Sequence, residues 1–315
     1  MQLVFILEQV VNGLVLGGYY LLIALGLSLI FSVGGVVNLS HGAFYALGAY
    51  VSVELTKVLG FGPAVALSPV AVGLLGILFE RFILRRFYRA DPILSLLVTF
   101  GLAMVAEQTI RIIWGAAPIP ASMPGYMKGP VILGDFLFSQ YRLLLLAVVV
   151  VVLTGIWYLL QRTEFGRVVR AGIQQPDMVA ALGIRLQPYM TAVVVLGVGM
   201  AALGGALFAQ MNGFADITIG TGTIVVGLAA VIAGEAIFRV RGVVMAVVAC
   251  IFGSIIYRLA IAFALNADYL GLTSADLNLV TAVLVALALI LPGARNPLKT
   301  LLAKRNSGST GGGGA

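Results

Sequence analysis

Residues 9–53, QVVNGLVLGGYYLLIALGLSLIFSVGGVVNLSHGAFYALGAYVSV, contain no Asp, Glu, Lys or Arg. A buried helix of a soluble protein is apolar over about ten to fourteen residues, whereas crossing roughly 30 Å of hydrocarbon takes about 20. The stretch reads as a span at 10–32 followed by a shorter one at 40–54. Outward from it, the same apolar pattern recurs at 62–79, 92–114, 142–160, 190–212, 223–238, 242–264 and 277–292. The fold class is therefore all-α, a polytopic transmembrane helical bundle of about 8 to 9 spans. Segments 40–54 and 223–238 are short and carry Gly and polar residues, so one or both are expected to be broken or re-entrant helices. A bilayer tolerates such a backbone only where protein or water covers it.

Composition agrees. Of 315 residues, 61% are hydrophobic and 10% charged, against about 25% charged in soluble domains. The net charge of +7 does not point to nucleic acid, because the basic residues sit beside apolar segments, where they set topology. Cys250 is the single cysteine, so a disulfide or a cysteine metal site within one chain is excluded. The first span lacks a basic start and a small-residue cleavage site, and reads as retained. Residues 1–306 form a single transmembrane domain. Residues 307–315, SGSTGGGGA, read as a flexible Gly/Ser tail of the kind left by an expression vector.

Four basic clusters orient the spans. They are Arg81, Arg85, Arg86 and Arg89; Arg162, Arg167, Arg170 and Arg185; Arg239 and Arg241; and Arg295, Lys299, Lys304 and Arg305. Two spans separate each cluster from the next, which places all four on one side, the cytoplasm. The opposite loops hold Lys57, Lys128, Arg142, Asp135, Asp216, Asp268 and Asp276, with no basic excess. Three spans before Arg81 put the N-terminus outside; a re-entrant 40–54 would move it inside. The 39 glycines, several at small-residue spacings, suit close helix packing in lipid.

Polar groups at membrane depth are candidates for function. Asn12, Tyr19, Asn38, Ser40, His41, Gln210, Asn212 and Thr221 bring hydrogen-bonding groups into otherwise apolar spans and are the candidate substrate path. His41 is the only histidine; its neutral imidazole can meet a substrate carboxylate or a backbone carbonyl, and a metal site is excluded. Glu107 with Arg111 and Glu235 with Arg239 have the spacing of intrahelical ion pairs, and Arg258 can snorkel. No chain of carboxylates crosses the membrane, which argues against a proton-driven pump. Phosphate-loop, His-Glu-x-x-His and nucleophile-elbow motifs are absent, so the chain binds no cofactor by a recognisable route and reads as a non-enzyme.

The most distinctive polar stretch is residues 162–187, RTEFGRVVRAGIQQPDMVAALGIRLQ. It reads as two short helices, 164–172 and a turn from Asp177 to Ala181 ended by Gly183, with Pro176 at the second helix start. Its apolar Val168, Val169, Met178, Val179 and Leu182 need a partner surface.

With this loop, residues 12–26 (NGLVLGGYYLLIALG), 37–48 (VNLSHGAFYALG) and 79–89 (FERFILRRFYR), the chain resembles membrane subunits of bacterial ABC importers of the branched-chain amino acid permease family. The resemblance runs nearly to residue 300. It implies that loop 163–184 couples to an ATPase through Gly166, Arg167, Arg170, Ala171, Asp177, Ala180, Ala181 and Gly183. It also implies an inner-membrane location, ATP bound by cytoplasmic ATPase subunits, a second permease as homodimer or heterodimer partner, an extracytoplasmic solute-binding protein, and surrounding lipid. Residues 213–238, 253–259 and 272–292 look closer to a sister branch that takes aromatic or other amino acids. The expected substrate is branched-chain, with aromatic or other small solutes as the alternative. A secondary transporter driven by an ion gradient is the rival of another class, and a membrane scaffold without flux is a third.

Overall fold

The computed structural model describes residues 2–36, 38–88, 91–127, 129–133 and 136–237, and beyond these 245, 248–249, 251–257, 259, 279, 282–283 and 286. The spans expected at 242–264 and 277–292 fall largely outside the described residues. Also outside them are Cys250, Arg258, the Glu235–Arg239 pair, the last two basic clusters and the tail.

Long uncharged runs form long helices: α1 Gln2–Gly34, α2 His41–Leu59, α3 Phe61–Phe82, α4 Pro92–Trp114 and α5 Gln140–Arg162. Two short helices follow, α6 Glu164–Gln174 and α7 Pro176–Ala181, and then α8 Leu186–Asn212 and α9 Thr218–Ile237. A 3-10 turn, Leu84–Arg86, ends α3. The start of α4 follows from local chemistry: Pro92 needs no N–H partner at a first helical position, and the Asp91 carboxylate accepts from the Ile93 N–H at 2.8 Å. Between α4 and α5, β2 (Pro130–Leu133) pairs antiparallel with β3 (Phe136–Ser139), and β1 (Ile119–Pro120) pairs antiparallel with β4 (Phe214–Ala215), which lies between α8 and α9.

Among the described residues five helices, α1, α3, α4, α5 and α8, are long and apolar enough to cross a membrane. The expectation of breaks at 40–54 and 223–238 is corrected: α2 and α9 are each continuous, about 28 and 30 Å long at 1.5 Å per residue. Their weaker apolar signal has a packing cause. His41, Tyr45 and Ser52 of α2 are buried in protein, so lipid never tests them; Glu54 and Lys57 pair at its outer end.

Consecutive long helices run antiparallel. Ile30 near the end of α1, Phe44 at the start of α2, Phe79 at the end of α3 and Val194 near the start of α8 share one apolar cluster. Tyr50 and Val53 of α2, Trp114 at the end of α4, Ala209 of α8, and Ala215 of β4 share another at the opposite end. α2 sits innermost, against α1, α3, α8 and α9. Backbones touch there: a Cβ on Gly205 would overlap the Tyr45 carbonyl, and Gly42 and Gly220 each lie against the other's carbonyl. In lipid, where apolar surface alone drives no association, such close approach supplies the packing energy.

Arg81, Arg85 and Arg185 line one cavity with Phe165 at the α3 C-terminal end, so the first two basic clusters share an end. Lys57, in the last turn of α2, lies at the other. The positive-inside rule assigns the basic end to the cytoplasm. In a Cys250→Ser background, Lys57→Cys is expected to react with an impermeant maleimide in intact cells, and Met178→Cys only after lysis. The reverse pattern would overturn the assignment.

Candidate functional site

At 100° per residue, His41, Tyr45, Ser52 and Thr56 fall within an arc of about 60° on α2. Together they make a polar stripe down the innermost helix. His41, Tyr45 and Ser52 are fully buried. Both ring nitrogens of His41, the Tyr45 hydroxyl, the Ser52 hydroxyl and the Gln210 Oε1 have no hydrogen-bond partner among the described residues. The Ile23 carbonyl is the backbone acceptor facing His41 and Thr223 is the hydroxyl facing Tyr45, but neither reaches hydrogen-bond geometry. Each such atom costs about 1–3 kcal/mol when left without a partner, so the stripe holds unused capacity to bind a polar molecule.

The candidate path residues divide by position. Asn38 and Ser40 form a turn before α2, in which the Asn38 Oδ1 accepts from the Ser40 N–H at 3.1 Å and from its hydroxyl at 2.5 Å. His41 follows directly. Gln210 of α8 donates to the Thr56 hydroxyl at 3.2 Å, which ties it to the far end of the stripe. Tyr19 of α1 is buried against Phe208 edge-on, with its hydroxyl 2.7 Å from the Met211 sulfur. Asn212 stands apart, exposed at the outer end of α8, and donates to Phe208 of its own helix. Thr221 follows Gly220, which packs on Gly42 beside His41, but its side chain is exposed and donates to Thr218 of its own helix. Asn12 lies in α1 with its side chain outside the described residues. Sequence reasoning missed Tyr45, Ser52 and Thr56, although their 3.6-residue periodicity with His41 was a readable signal.

The loop at the basic end is a helical hairpin. The Thr163 hydroxyl caps α6 by accepting from the Gly166 N–H at 3.2 Å. Gly166 is buried, and a Cβ there would overlap the carbonyls of Leu159 and Leu160, so only glycine lets α6 fold back on α5. Arg170 turns inward and donates to the Leu160 carbonyl and to Gln161, satisfying acceptors that the end of α5 leaves open. Gly183 closes α7 with φ +78°, a left-handed conformation that glycine adopts without strain. Arg167, Ala171, Asp177, Ala180 and Ala181 are exposed. So are Met178 and Leu182, at 58% and 67%. A groove of about 430 Å³ between α6 and α7 is lined by Arg167, Ala171, Met178, Val179 and Leu182 among others.

The profile of the family described as the permease component of branched-chain amino acid transport systems matches residues 9–292. The chain belongs to this permease family. It is 26% identical over 306 residues to the high-affinity branched-chain amino acid transport system permease protein LivH of Salmonella typhimurium, covering 92% of this chain and 95% of that one. It is 25% identical to BraD of Pseudomonas aeruginosa, a permease protein of the same kind, over 68% of this chain and 74% of that protein. It is also 27% identical to the tyrosine transport system permease protein of Clostridioides difficile, over 84% of each.

The basic end of this permease carries a network the sequence reading did not find. Glu80, at the end of α3, has a fully buried carboxylate. It accepts from the Arg85 Nε at 3.1 Å and Nη2 at 2.9 Å, from the Thr191 hydroxyl of α8 at 2.8 Å and from the Tyr88 hydroxyl at 3.2 Å. Tyr88 lies beyond the spanning helix. Burial first, and the Glu80 carboxylate second, hold its phenol well above the ordinary value, so it remains a donor. The other ion pairs among the described residues are Lys57–Glu54 and Arg167–Glu164. The expected Glu107–Arg111 pair does not close to contact distance: Glu107 is half-buried and Arg111 exposed on α4, and a solvated pair at that spacing gains little from closing.

Proposed function

We propose that this permease is the membrane subunit of an ATP-driven importer, located in the bacterial inner membrane, and that it passes a branched-chain amino acid. The observation that carries the proposal is the α6–α7 hairpin. It is pinned to α5 by Gly166 and Arg170, stands at the basic end, and presents exposed Met178 and Leu182 to the water side. Apolar side chains held rigidly in water mark a docking surface, and a chain without a phosphate loop must take its energy from a partner. Cytoplasmic ATPase subunits on this hairpin, a second permease beside the bundle and an extracytoplasmic binding protein at the outer hairpins complete the importer. The solute passes where the polar stripe of α2 is uncovered. That requires α2 to part from α8 and α9, so ATP binding must favour one of two packed arrangements over the other.

A second reading, an aromatic amino acid as substrate, is favoured by the tyrosine permease relative, which covers 84% of this chain. Uptake into vesicles that hold the complete importer separates the two. Leucine or valine uptake is expected to require ATP, and His41→Ala to lower it by about fivefold, the worth of one hydrogen bond of about 1 kcal/mol. Uptake of tyrosine without leucine would establish the second reading. Uptake driven by an ion gradient with no ATPase present would reject the transporter class.

A further inference from the structure

Two cavities on the outer wall of the bundle join. One, about 780 Å³, opens at the basic end and is lined by Arg81, Arg85 and Arg185. The other, about 580 Å³, is an apolar slot between α3, α5 and α8, walled by Pro69, Gly73, Gly155, Gly199 and Leu203. Leu159, Val195 and Leu196 line both, so the basic mouth leads directly into the slot. From Val195 to Leu203 the slot follows α8 for about 12 Å, close to the roughly 15 Å depth of one leaflet's hydrocarbon.

We propose that the joined cavities are a binding site for an anionic phospholipid of the leaflet at the basic end, with the phosphate on Arg81 and Arg185 and an acyl chain in the slot. Charge supports this occupant. Among the described residues no carboxylate lines the mouth. Glu80 is turned inward onto Arg85 and Thr191, so it offsets the charge of Arg85 alone. Arg81 and Arg185 are exposed and form no ion pair among the described residues. Two uncompensated guanidinium groups over an apolar slot at helix ends match a phosphodiester above an acyl chain. A cytoplasmic protein could cover the arginines but could not follow the slot into the membrane. A second copy of the chain would fill the slot without needing the charge. The site is independent of the transported solute; Phe165 and Thr163 at the base of the hairpin line it, away from the exposed face of α7.

The slot can be closed without disturbing the helix. A Cβ on Gly155 meets no atom within 4 Å, so Gly155→Leu projects into the open groove while raising the helix propensity of α5. Full-length protein in detergent, titrated with dioleoyl phosphatidylglycerol or dioleoyl phosphatidylcholine and weighed intact by native mass spectrometry, tests the site. Phosphatidylglycerol is expected to be retained in preference to phosphatidylcholine. Its affinity should fall by about tenfold or more in Arg81→Gln/Arg185→Gln, which removes two interfacial charges, and also in Gly155→Leu with both arginines intact. Glycerol phosphate should not compete. Equal retention of the two lipids would overturn the site, as would full retention in Gly155→Leu. Competition by glycerol phosphate at the lipid's own concentration would show a free phosphate ester as the ligand. A change from dimer to monomer in Gly155→Leu with lipid retention unchanged would assign the slot to a second copy. If the arginine variant fails to fold, Gly155→Leu and the lipid comparison still decide the outcome.

Discussion

Replacing Glu80 with alanine is expected to destabilise the full chain by about 2–3 kcal/mol, less than the roughly 3–5 kcal/mol of a fully buried pair because the Arg85 side chain is one-third exposed. The loss should exceed that of any exposed charge on the same helix. Glu80 accepts from Arg85, Thr191 and Tyr88 at once, so its removal leaves one guanidinium uncompensated and the Tyr88 hydroxyl without its acceptor. The link from the 3-10 turn after α3 to α8 is then reduced to the bond from Arg85 Nη2 to the Thr191 hydroxyl at 3.0 Å. Glu80→Ala/Arg85→Ala should recover part of the stability, since the uncompensated charge leaves as well. Thermal unfolding of the purified protein in detergent measures both. A Glu80→Ala variant within about 0.5 kcal/mol of wild type, the range of ordinary surface substitutions, would mean that the network contributes little.

The parts of the fold legible in the sequence are those in which the membrane itself is the solvent. α3, α4 and α5 leave most of their length uncovered by protein, and their apolar runs gave their positions within a few residues, as at 92–114 for α4. α2 was underestimated because its neighbours are helices. His41, Ser52 and Thr56 lower its apparent apolarity but point into protein, and nothing in a single chain says which helices cover it. The small outer hairpins were missed for a related reason, since strand pairs of two and four residues are too short to set up a readable alternation. The Glu80–Arg85 pair was invisible to the i, i+4 rule. Its five-residue spacing works only because α3 ends between the two residues and the chain turns. The hairpin at 163–184 was legible because its punctuation is local: Pro176 at a helix start and Gly183 past a helix end. The inward turn of Arg170 was not, because its acceptor, the Leu160 carbonyl, is set by how α6 folds back.

That distinction decides how the hairpin should be tested. Gly166→Asp would abolish ATP-driven uptake, but it would do so by forcing a side chain into the end of α5, and the result would say nothing about docking. Ala180 and Met178 are exposed on α7, so Ala180→Asp and Met178→Asp change the surface while leaving the packing of α6 on α5 intact. Each places a carboxylate where an apolar contact with the ATPase is expected. Burying that charge at an interface without a partner costs several kcal/mol. Loss of about 2–3 kcal/mol of docking energy corresponds to about thirtyfold or more weaker binding of the ATPase at fixed concentration. Both variants are expected to insert with wild-type thermal stability, to release the ATPase on gel filtration, and to lose ATP-driven uptake together with substrate-stimulated hydrolysis. Arg167→Ala, which removes only an exposed pair with Glu164, should cost much less, because such pairs contribute at most about 1 kcal/mol. Wild-type uptake by Ala180→Asp and Met178→Asp would remove the ATPase from this surface and leave the exposed apolar face of α7 to another partner.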